Sequence, residues 1–154
     1  MGPRFANFEQ SFKRALEIGG TELLSAIDQL LGQKPVLYIG DTTVTAYRRV
    51  HEILGSVLDF VARAVAQTAD EKQWSEVASR LALELSRAKV IVNYQWAREQ
   101  LSQDIAKLLN DVLDSLEKAL RDEKRKKDIR DLAERSRALI DALAVLVYRY
   151  GKKR

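Results

Sequence analysis

The sequence predicts an all-α protein, a compact bundle of five to six helices with two long C-terminal antiparallel helices. Three observations carry this prediction. The chain has only two prolines and seven glycines, most of them outside the periodic segments, so little interrupts a helical path. Apolar residues recur at steps of three and four along most of the chain. Its 154 residues fit a single helical domain, residues 1–154, with flexible tails at 1–4 and 151–154.

The first half of the chain predicts three helices. Apolar residues repeat at helical spacing over residues 5–16 and again over residues 23–31, and glycines end both segments. The stretch GQKPVLYIGDTT that follows contains Pro35 and two glycines and is predicted to be a loop. Asp41 to Thr43 are helix-capping residues, and a third helix is predicted from about Val44 to Gln67.

The second half predicts longer helices. Asp70 is expected to cap a fourth helix, which reaches Leu85 before a short break at Ser86 to Ala88. One long helix is then predicted from Val90 to about Leu120, and a last helix begins near residue 129. Between these two helices lies RDEKRKKDIR, the densest charge run of the chain, which is typical of an exposed corner between helices.

Composition excludes several kinds of site. The chain has no cysteine and one histidine, so zinc clusters, thiol nucleophiles and paired-histidine metal sites are ruled out. His51 lies on the apolar side of the third helix, where a hydrogen-bonded core residue is more common than a catalyst. Neither a phosphate-binding loop nor a nucleophile elbow is present. We therefore expect no catalytic residue, no metal and no cofactor.

The sequence also bears on location. No apolar run approaches the ~18 residues that a membrane helix needs, and the first ten residues, MGPRFANFEQ, lack the apolar stretch of a signal peptide. We expect a cytoplasmic protein without a membrane partner.

The stretch VNYQWAREQL, residues 92–101, combines two aromatic residues with an arginine. On one continuous helix at ~100° per residue, Tyr94 falls on the core side and Trp96 on the opposite, exposed face. Arg98 falls inside the apolar stripe. An arginine there must reach water, pair with a carboxylate, cap a helix end or mark a binding site. Exposed Trp96 is a candidate contact for a partner protein or a nucleic-acid base.

Basic residues form two clusters, Arg48 and Arg49 early in the third helix and residues 121–130 between the last two helices. The net charge is only +4, so the clusters matter because they are local. Such clusters bind phosphates through counterion release, although a solubilising surface explains either one equally well. The candidate RNA-binding residues are Arg48, Arg49, Lys89, Trp96, Arg98, Arg121, Lys124, Arg125, Lys126, Lys127 and Arg130.

Three motifs together resemble a known family. They are TTVTAYRR at a helix start, the step Tyr94-x-x-x-Arg98 after RAKVIV, and the ending LAVLVYRYG. The chain thereby resembles the small helical subunit of type III-A (Csm) CRISPR effector complexes over roughly residues 41–151. The related type III-B small subunit and another archaeal or phage-like helical protein stay alternatives, because Arg149 stands where the III-A ending usually has a histidine.

The resemblance implies a non-catalytic subunit of an antiviral ribonucleoprotein. Such a subunit lies beside crRNA and target RNA, contacts the single-stranded RNA backbone and other effector subunits, and associates with copies of itself. By position, the resemblance assigns RNA contacts to Arg48 and Arg98. The remaining candidates come from the charge argument alone.

Two other readings of the sequence stay open. The chain could be a helical protein–protein interaction module without nucleic-acid binding, whose charges serve solubility. Less favoured is an all-helical enzyme that holds an anionic substrate at Arg98.

Overall fold

The computed structural model describes residues 3–67 and 70–153, apart from the side chains of Pro3, Glu123 and Lys126. These described residues fold into six α-helices and one 3₁₀-helix, which confirms the all-α prediction. In chain order they are α1 Pro3–Ile18, α2 Gly20–Leu31, α3 Val44–Gln67, α4 Glu71–Ala97, α5 Gln103–Arg121, the 3₁₀-helix Glu123–Asp128 and α6 Ile129–Tyr150. None of the described helices is long and apolar enough to cross a membrane.

The prediction of one long helix from Val90 to about Leu120 is wrong. Helix α4 continues without interruption through Ser86 to Ala88, and the chain instead breaks between Ala97 and Gln103. The break is a Schellman motif, in which the Gln100 amide donates to the Gln95 carbonyl and the Glu99 amide to the Trp96 carbonyl. Apolar spacing continues across this turn by coincidence, so periodicity alone could not find it.

Side-chain caps set where three helices begin. The Thr43 hydroxyl accepts from the Ala46 amide at 3.1 Å at the start of α3, in the segment predicted to cap it. Asp70 accepts from the Gln73 amide at 2.8 Å and caps α4, as predicted. Ser102, which the sequence reading did not use, accepts from the Ile105 amide at 3.2 Å and starts α5.

Helices α3 and α6 form the most extensive contact in the bundle. Buried Tyr47 donates its hydroxyl to the Ile140 carbonyl at 2.7 Å. One turn later, His51 stacks on the Tyr47 ring, and its Nε2 lies 2.7 Å from the Asp141 carboxylate. His51 is therefore a hydrogen-bonded residue at the edge of the core, in line with the sequence-based interpretation.

The remaining helices add to this pair on two sides. Helix α2 packs against α1 and α6, whereas α4 packs against α3 and α5. Helices α1 and α5 also pack against each other, and the phenylalanines of α1 and most leucines of α5 are almost fully buried. Helices α2 and α4 therefore form the opposite flanks of the bundle.

A glycine allows the tight turn between α1 and α2. Gly19 has φ 72° and ψ −147°, a backbone conformation that is nearly restricted to glycine. A Cβ atom at this position would also lie 2.6 Å from the Arg135 side chain. That arginine crosses from α6 and donates from Nε to the Leu16 carbonyl at 2.9 Å, so it ties α6 to the end of α1.

Candidate nucleic-acid interface

One end of the bundle, which we call the junction end, brings together residues 42–44, 98–102 and 148–153. The Thr43 amide donates to the Gln100 carbonyl at 3.1 Å. The Val44 amide donates to the Lys152 carbonyl, and the Lys152 amide to the Thr42 carbonyl, each at 2.8 Å. Buried Thr42 accepts the Ser102 amide on its hydroxyl at 2.7 Å. These bonds fix the start of α3, the α4–α5 turn and the C-terminal segment against each other.

Arg48 projects from this end on the side of α3 that faces α6. Its guanidinium lies 6.0 Å from the centre of the exposed Tyr148 ring, and its Nε lies 3.5 Å from the Tyr148 hydroxyl. The hydrogen bond to Tyr148 raises the pKa of Arg48 above its usual value. The tyrosine holds the guanidinium in place without neutralising its charge.

Arg98 does not lie in the apolar stripe, so the sequence interpretation of VNYQWAREQL needs correction. Arg98 is the exposed residue that ends α4, and its guanidinium lies 5.4 Å from the centre of the Tyr94 ring. Tyr94 is 54% exposed and is not a core residue. The angles drawn through one continuous helix were wrong because α4 ends before Leu101, and Val92 and Gln95 are the residues that α4 buries here.

Arg49 and Trp96 are exposed, as the sequence analysis expected for Trp96. Contacts between Phe60 and Arg80 and between Thr43 and Gln100 fix α3 and α4 in antiparallel register. This register places Arg49 level with about residues 91–94 of α4, near the exposed side that carries Tyr94 and Arg98.

Lys89 is engaged in partly exposed ion pairs between α4 and α5. Its Nζ lies 3.3 Å from a Glu117 carboxylate oxygen and 3.5 Å from one of Asp114, both on α5. The hydrogen bond from Lys89 lowers the pKa of Glu117. Two carboxylates already balance this charge, so Lys89 is a poor candidate for phosphate binding.

The second basic cluster, residues 121–130, is called the corner end. Among its described basic side chains, Arg125 is half-buried and the others are exposed, as predicted for an exposed corner. Its side chains make local ion pairs: Arg121 with Glu117 and Arg130 with Glu134, each at 3.4 Å and four residues apart. Among the described side chains of this cluster, none of Lys124, Arg125 and Lys127 has a carboxylate within 4.0 Å. Lys126 was also predicted as a contact, but its side chain lies outside the described residues.

The two basic clusters do not form one surface. Helix α5 runs from the junction end to the corner end over 19 residues, which separates them by ~27 Å at the ~1.5 Å rise of an α-helix. The ends also differ in their contacts, because tyrosines position Arg48 and Arg98, whereas Arg121 and Arg130 at the corner end pair with carboxylates.

Sequence reasoning missed the two tyrosines. Tyr94 was assigned to the core, and Tyr148 was seen only as part of the apolar ending LAVLVYRYG. The spacing of Tyr94 and Arg98, four residues apart on one helix, could have indicated their contact. The contact between Arg48 and Tyr148 joins residues 100 positions apart, and no local pattern could reveal it.

Comparison with known proteins does not identify the chain. No protein-family model, no curated protein and no solved structure matches it.

Proposed function

We propose that this chain is a non-catalytic RNA-binding subunit of a type III CRISPR effector complex in the cytoplasm. It contacts the backbone of single-stranded crRNA or target RNA together with other effector subunits. The resemblance of its motifs supplies this class of complex. Arg48 and Arg98 at the junction end are the central contacts, Arg49 and Trp96 adjoin them, and the corner end adds a weaker, separate contact.

The observation that supports this proposal is the setting of the two junction arginines. Arg48 and Arg98 are both exposed, and each lies against an exposed tyrosine. Neither has a carboxylate within 4.0 Å among the described residues. A guanidinium that lies against an aromatic ring is oriented, and its remaining N–H donors are available for phosphate oxygens. Exposed tyrosine and tryptophan rings can stack on unpaired bases.

The phosphate contacts predict binding that depends on salt and little on sequence. Each phosphate neutralised by an arginine releases counterions, so affinity falls as the salt concentration rises. We expect removal of two contacting arginines to lower the slope of log K against log salt by roughly two.

The test is a titration of single-stranded RNA with the purified protein, read by fluorescence anisotropy at several salt concentrations. The test variant carries Arg48→Gln and Arg98→Gln. The control variant carries Arg14→Gln and Lys72→Gln, which removes two exposed positive charges away from both contacts. We expect the test variant to bind roughly tenfold or more weakly at low salt, and the control to bind nearly as well as the unchanged protein.

Two results would reject the proposal. One is an absence of RNA binding at low salt, both for the isolated protein and within its effector complex. The other is an equal loss of affinity in the test and control variants, which would indicate dependence on net charge alone.

The alternative function is a helical protein–protein interaction module without nucleic-acid binding. Exposed apolar residues on α2 and α4 favour this alternative. It predicts that charge changes at both ends leave RNA binding absent throughout, while changes to the apolar residues abolish assembly with partner proteins.

A further inference from the structure

A cavity of about 520 Å³ lies between the last turns of α3 and the first turns of α4. Phe60 and Val77, both partly buried, give it an apolar lining, and Arg63 of α3 and Arg80 of α4 line it from the two helices. Small-molecule sites typically have volumes of roughly 300–1,000 Å³ and combine an apolar lining with a few polar groups. None of the residues that line this cavity is a candidate RNA contact.

The two arginines of this cavity have no carboxylate partner. Both are exposed, and neither has a carboxylate within 4.0 Å among the described residues. Each has a carboxylate four residues away on its own helix, which is a common position for a partner: Asp59 for Arg63 and Glu84 for Arg80. Asp59 instead pairs with Arg137 of α6 at 3.1 Å, and Glu84 pairs with the next arginine along α4 at 3.3 Å. The carboxylates nearest in sequence are therefore engaged elsewhere.

The charges around the cavity favour an anion. One carboxylate, that of Glu76, also lines it, so two arginines and one glutamate leave a net positive charge. Two like charges that line one cavity repel each other, and a bound anion removes this repulsion. The cavity therefore favours a small anion over a neutral or cationic molecule.

One of the arginines also presents a flat surface. The Arg80 guanidinium lies 5.1 Å from the centre of the Phe60 ring, and Phe60 is packed against the core. A guanidinium is planar, so a flat ring of a ligand can lie against the face that does not meet Phe60. The Gln67 amide, which also lines the cavity, can both donate to and accept from polar atoms at the edge of such a ring.

A neighbouring cavity indicates how the ligand is oriented. This second cavity of about 390 Å³ shares Phe60 and Arg80 with the first and is lined by Glu52 and Glu84. Its carboxylates repel an anion, whereas Arg63 lines the first cavity. The anionic group is therefore expected beside Arg63, with the ring beside Arg80.

We propose that the cavity between α3 and α4 binds a small organic anion that joins a phosphate or carboxylate group to a flat ring. The anionic group pairs with Arg63 and Arg80, and the ring lies against Arg80. Nucleoside monophosphates and aromatic carboxylates share this chemistry. The proposal depends on these two helices alone and does not require RNA binding.

The experiment is isothermal titration calorimetry on the full chain with four probes. Adenosine monophosphate and indole-3-acetate each combine an anion with a flat ring, whereas inorganic phosphate supplies the anion alone and adenosine the ring alone. Nuclear magnetic resonance of the Nε–H groups of Arg63 and Arg80 and of the Gln67 amide locates the bound probe. Thermal unfolding of each variant checks that it is folded.

We expect adenosine monophosphate, indole-3-acetate or both to bind roughly tenfold or more tightly than phosphate or adenosine. The preferred probe then shows whether the site takes a phosphate or a carboxylate. Arg63→Gln should weaken binding roughly tenfold or more, because it removes a charged hydrogen-bond donor. Arg80→Lys keeps the charge and loses the flat group, so it should weaken binding of the ring-bearing anions and leave that of phosphate unchanged.

Two control variants should leave binding of the small anion unchanged. Arg14→Gln removes one exposed positive charge of α1. The double variant Arg48→Gln and Arg98→Gln removes the proposed RNA contacts. Conversely, Arg63→Gln should retain RNA binding, so the failure of either proposal can be told from the failure of the other.

Four results would overturn the proposal. Neither ring-bearing anion could bind. Inorganic phosphate could bind as tightly as the ring-bearing anions, which would leave the ring without a role. Arg14→Gln could weaken binding as much as Arg63→Gln does, which would indicate dependence on net charge alone. Binding could also be lost in the Arg48→Gln and Arg98→Gln variant and kept in Arg63→Gln, which would place the anion at the junction end.

Discussion

The junction end and the corner end are both basic, yet they are built in different ways. At the corner end, six of the ten residues from Arg121 to Arg130 are basic, and the described contacts of their side chains are with residues close by in sequence. At the junction end the basic residues come from three separate parts of the sequence. There the start of α3, the α4–α5 turn and the C-terminal segment are held together by hydrogen bonds between residues distant in sequence. Charge density along a sequence therefore does not reveal which basic surface has a fixed geometry.

The largest expected effect on stability comes from removing the Thr42 hydroxyl at the junction end. Its buried hydroxyl accepts the Ser102 amide at 2.7 Å. Thr42→Val keeps the shape and leaves that amide without a partner, which should lower the free energy of unfolding by ~1–3 kcal/mol. Urea unfolding measures this change. The matched control, Thr45→Val, alters an exposed threonine of α3 and should change stability by less than ~0.5 kcal/mol; equal losses would contradict a special role for Thr42.

The next prediction concerns a pair of carboxylates, Glu9 and Asp111, that belongs to neither the junction end nor the corner end. Glu9 of α1 and Asp111 of α5 each have a buried carboxylate oxygen without a donor among the described residues, and a shared proton would satisfy both. Burial, followed by the hydrogen bond and the charge of Glu9, raises the pKa of Asp111 to about 7, although Lys13 and Lys107 oppose the shift.

A raised pKa means that the folded state binds the proton more tightly than the unfolded state. The stabilisation from Asp111 is therefore complete below about pH 4 and is lost as the pH rises through about 7. Asp111→Asn should flatten this dependence and raise stability at pH 8 by about 1 kcal/mol, a figure that allows for partial solvent screening. Thermal unfolding from pH 4 to pH 8 tests this, with Asp28→Asn as an exposed control. An unchanged pH dependence in Asp111→Asn would contradict the shared proton.

A smaller effect compares arginine with lysine at the two ends. Arg98→Lys keeps the charge but loses the planar group that lies 5.4 Å from the Tyr94 ring centre. We expect RNA affinity to fall by about two- to fivefold, which corresponds to ~0.5–1 kcal/mol for an exposed cation–π contact. Arg130→Lys at the corner end should leave affinity unchanged. Anisotropy measures both affinities. Equal effects at both positions would contradict the claim that only the junction end binds RNA through a fixed arginine geometry.

The fold was largely predictable because helical periodicity and capping are local. The caps at Asp70 and at residues 41–43 were read correctly from capping side chains alone. The break after α4 was not, because Glu99 takes the left-handed position that glycine usually occupies at a helix end. Ser102 followed by Asp104 was the available signal for a new helix, since both residues favour a helix start.

The candidate site was only partly predictable. Arg48, Arg49, Arg98 and Trp96 were named from sequence, and the structure places all four on the surface. Lys89 was named with them, but its two carboxylate partners on α5 became visible only once α4 and α5 were packed together. The errors at Tyr94 and Arg98 share one cause: the side of a helix that faces the core cannot be read beyond the point where the helix ends.

The smallest expected effect concerns backbone strain at the junction end. Glu99 has φ 61°, and non-glycine residues pay a cost in this left-handed region. Glu99→Gly should raise the free energy of unfolding by roughly 0.5 kcal/mol. Glu99→Gln keeps the strain and removes only the charge, so it should leave stability unchanged while modestly raising RNA affinity beside Arg98. Urea unfolding and anisotropy on both variants separate the contribution of backbone strain from that of the Glu99 charge. If Glu99→Gln stabilised the protein as much as Glu99→Gly, the charge and not φ would limit the stability of this turn.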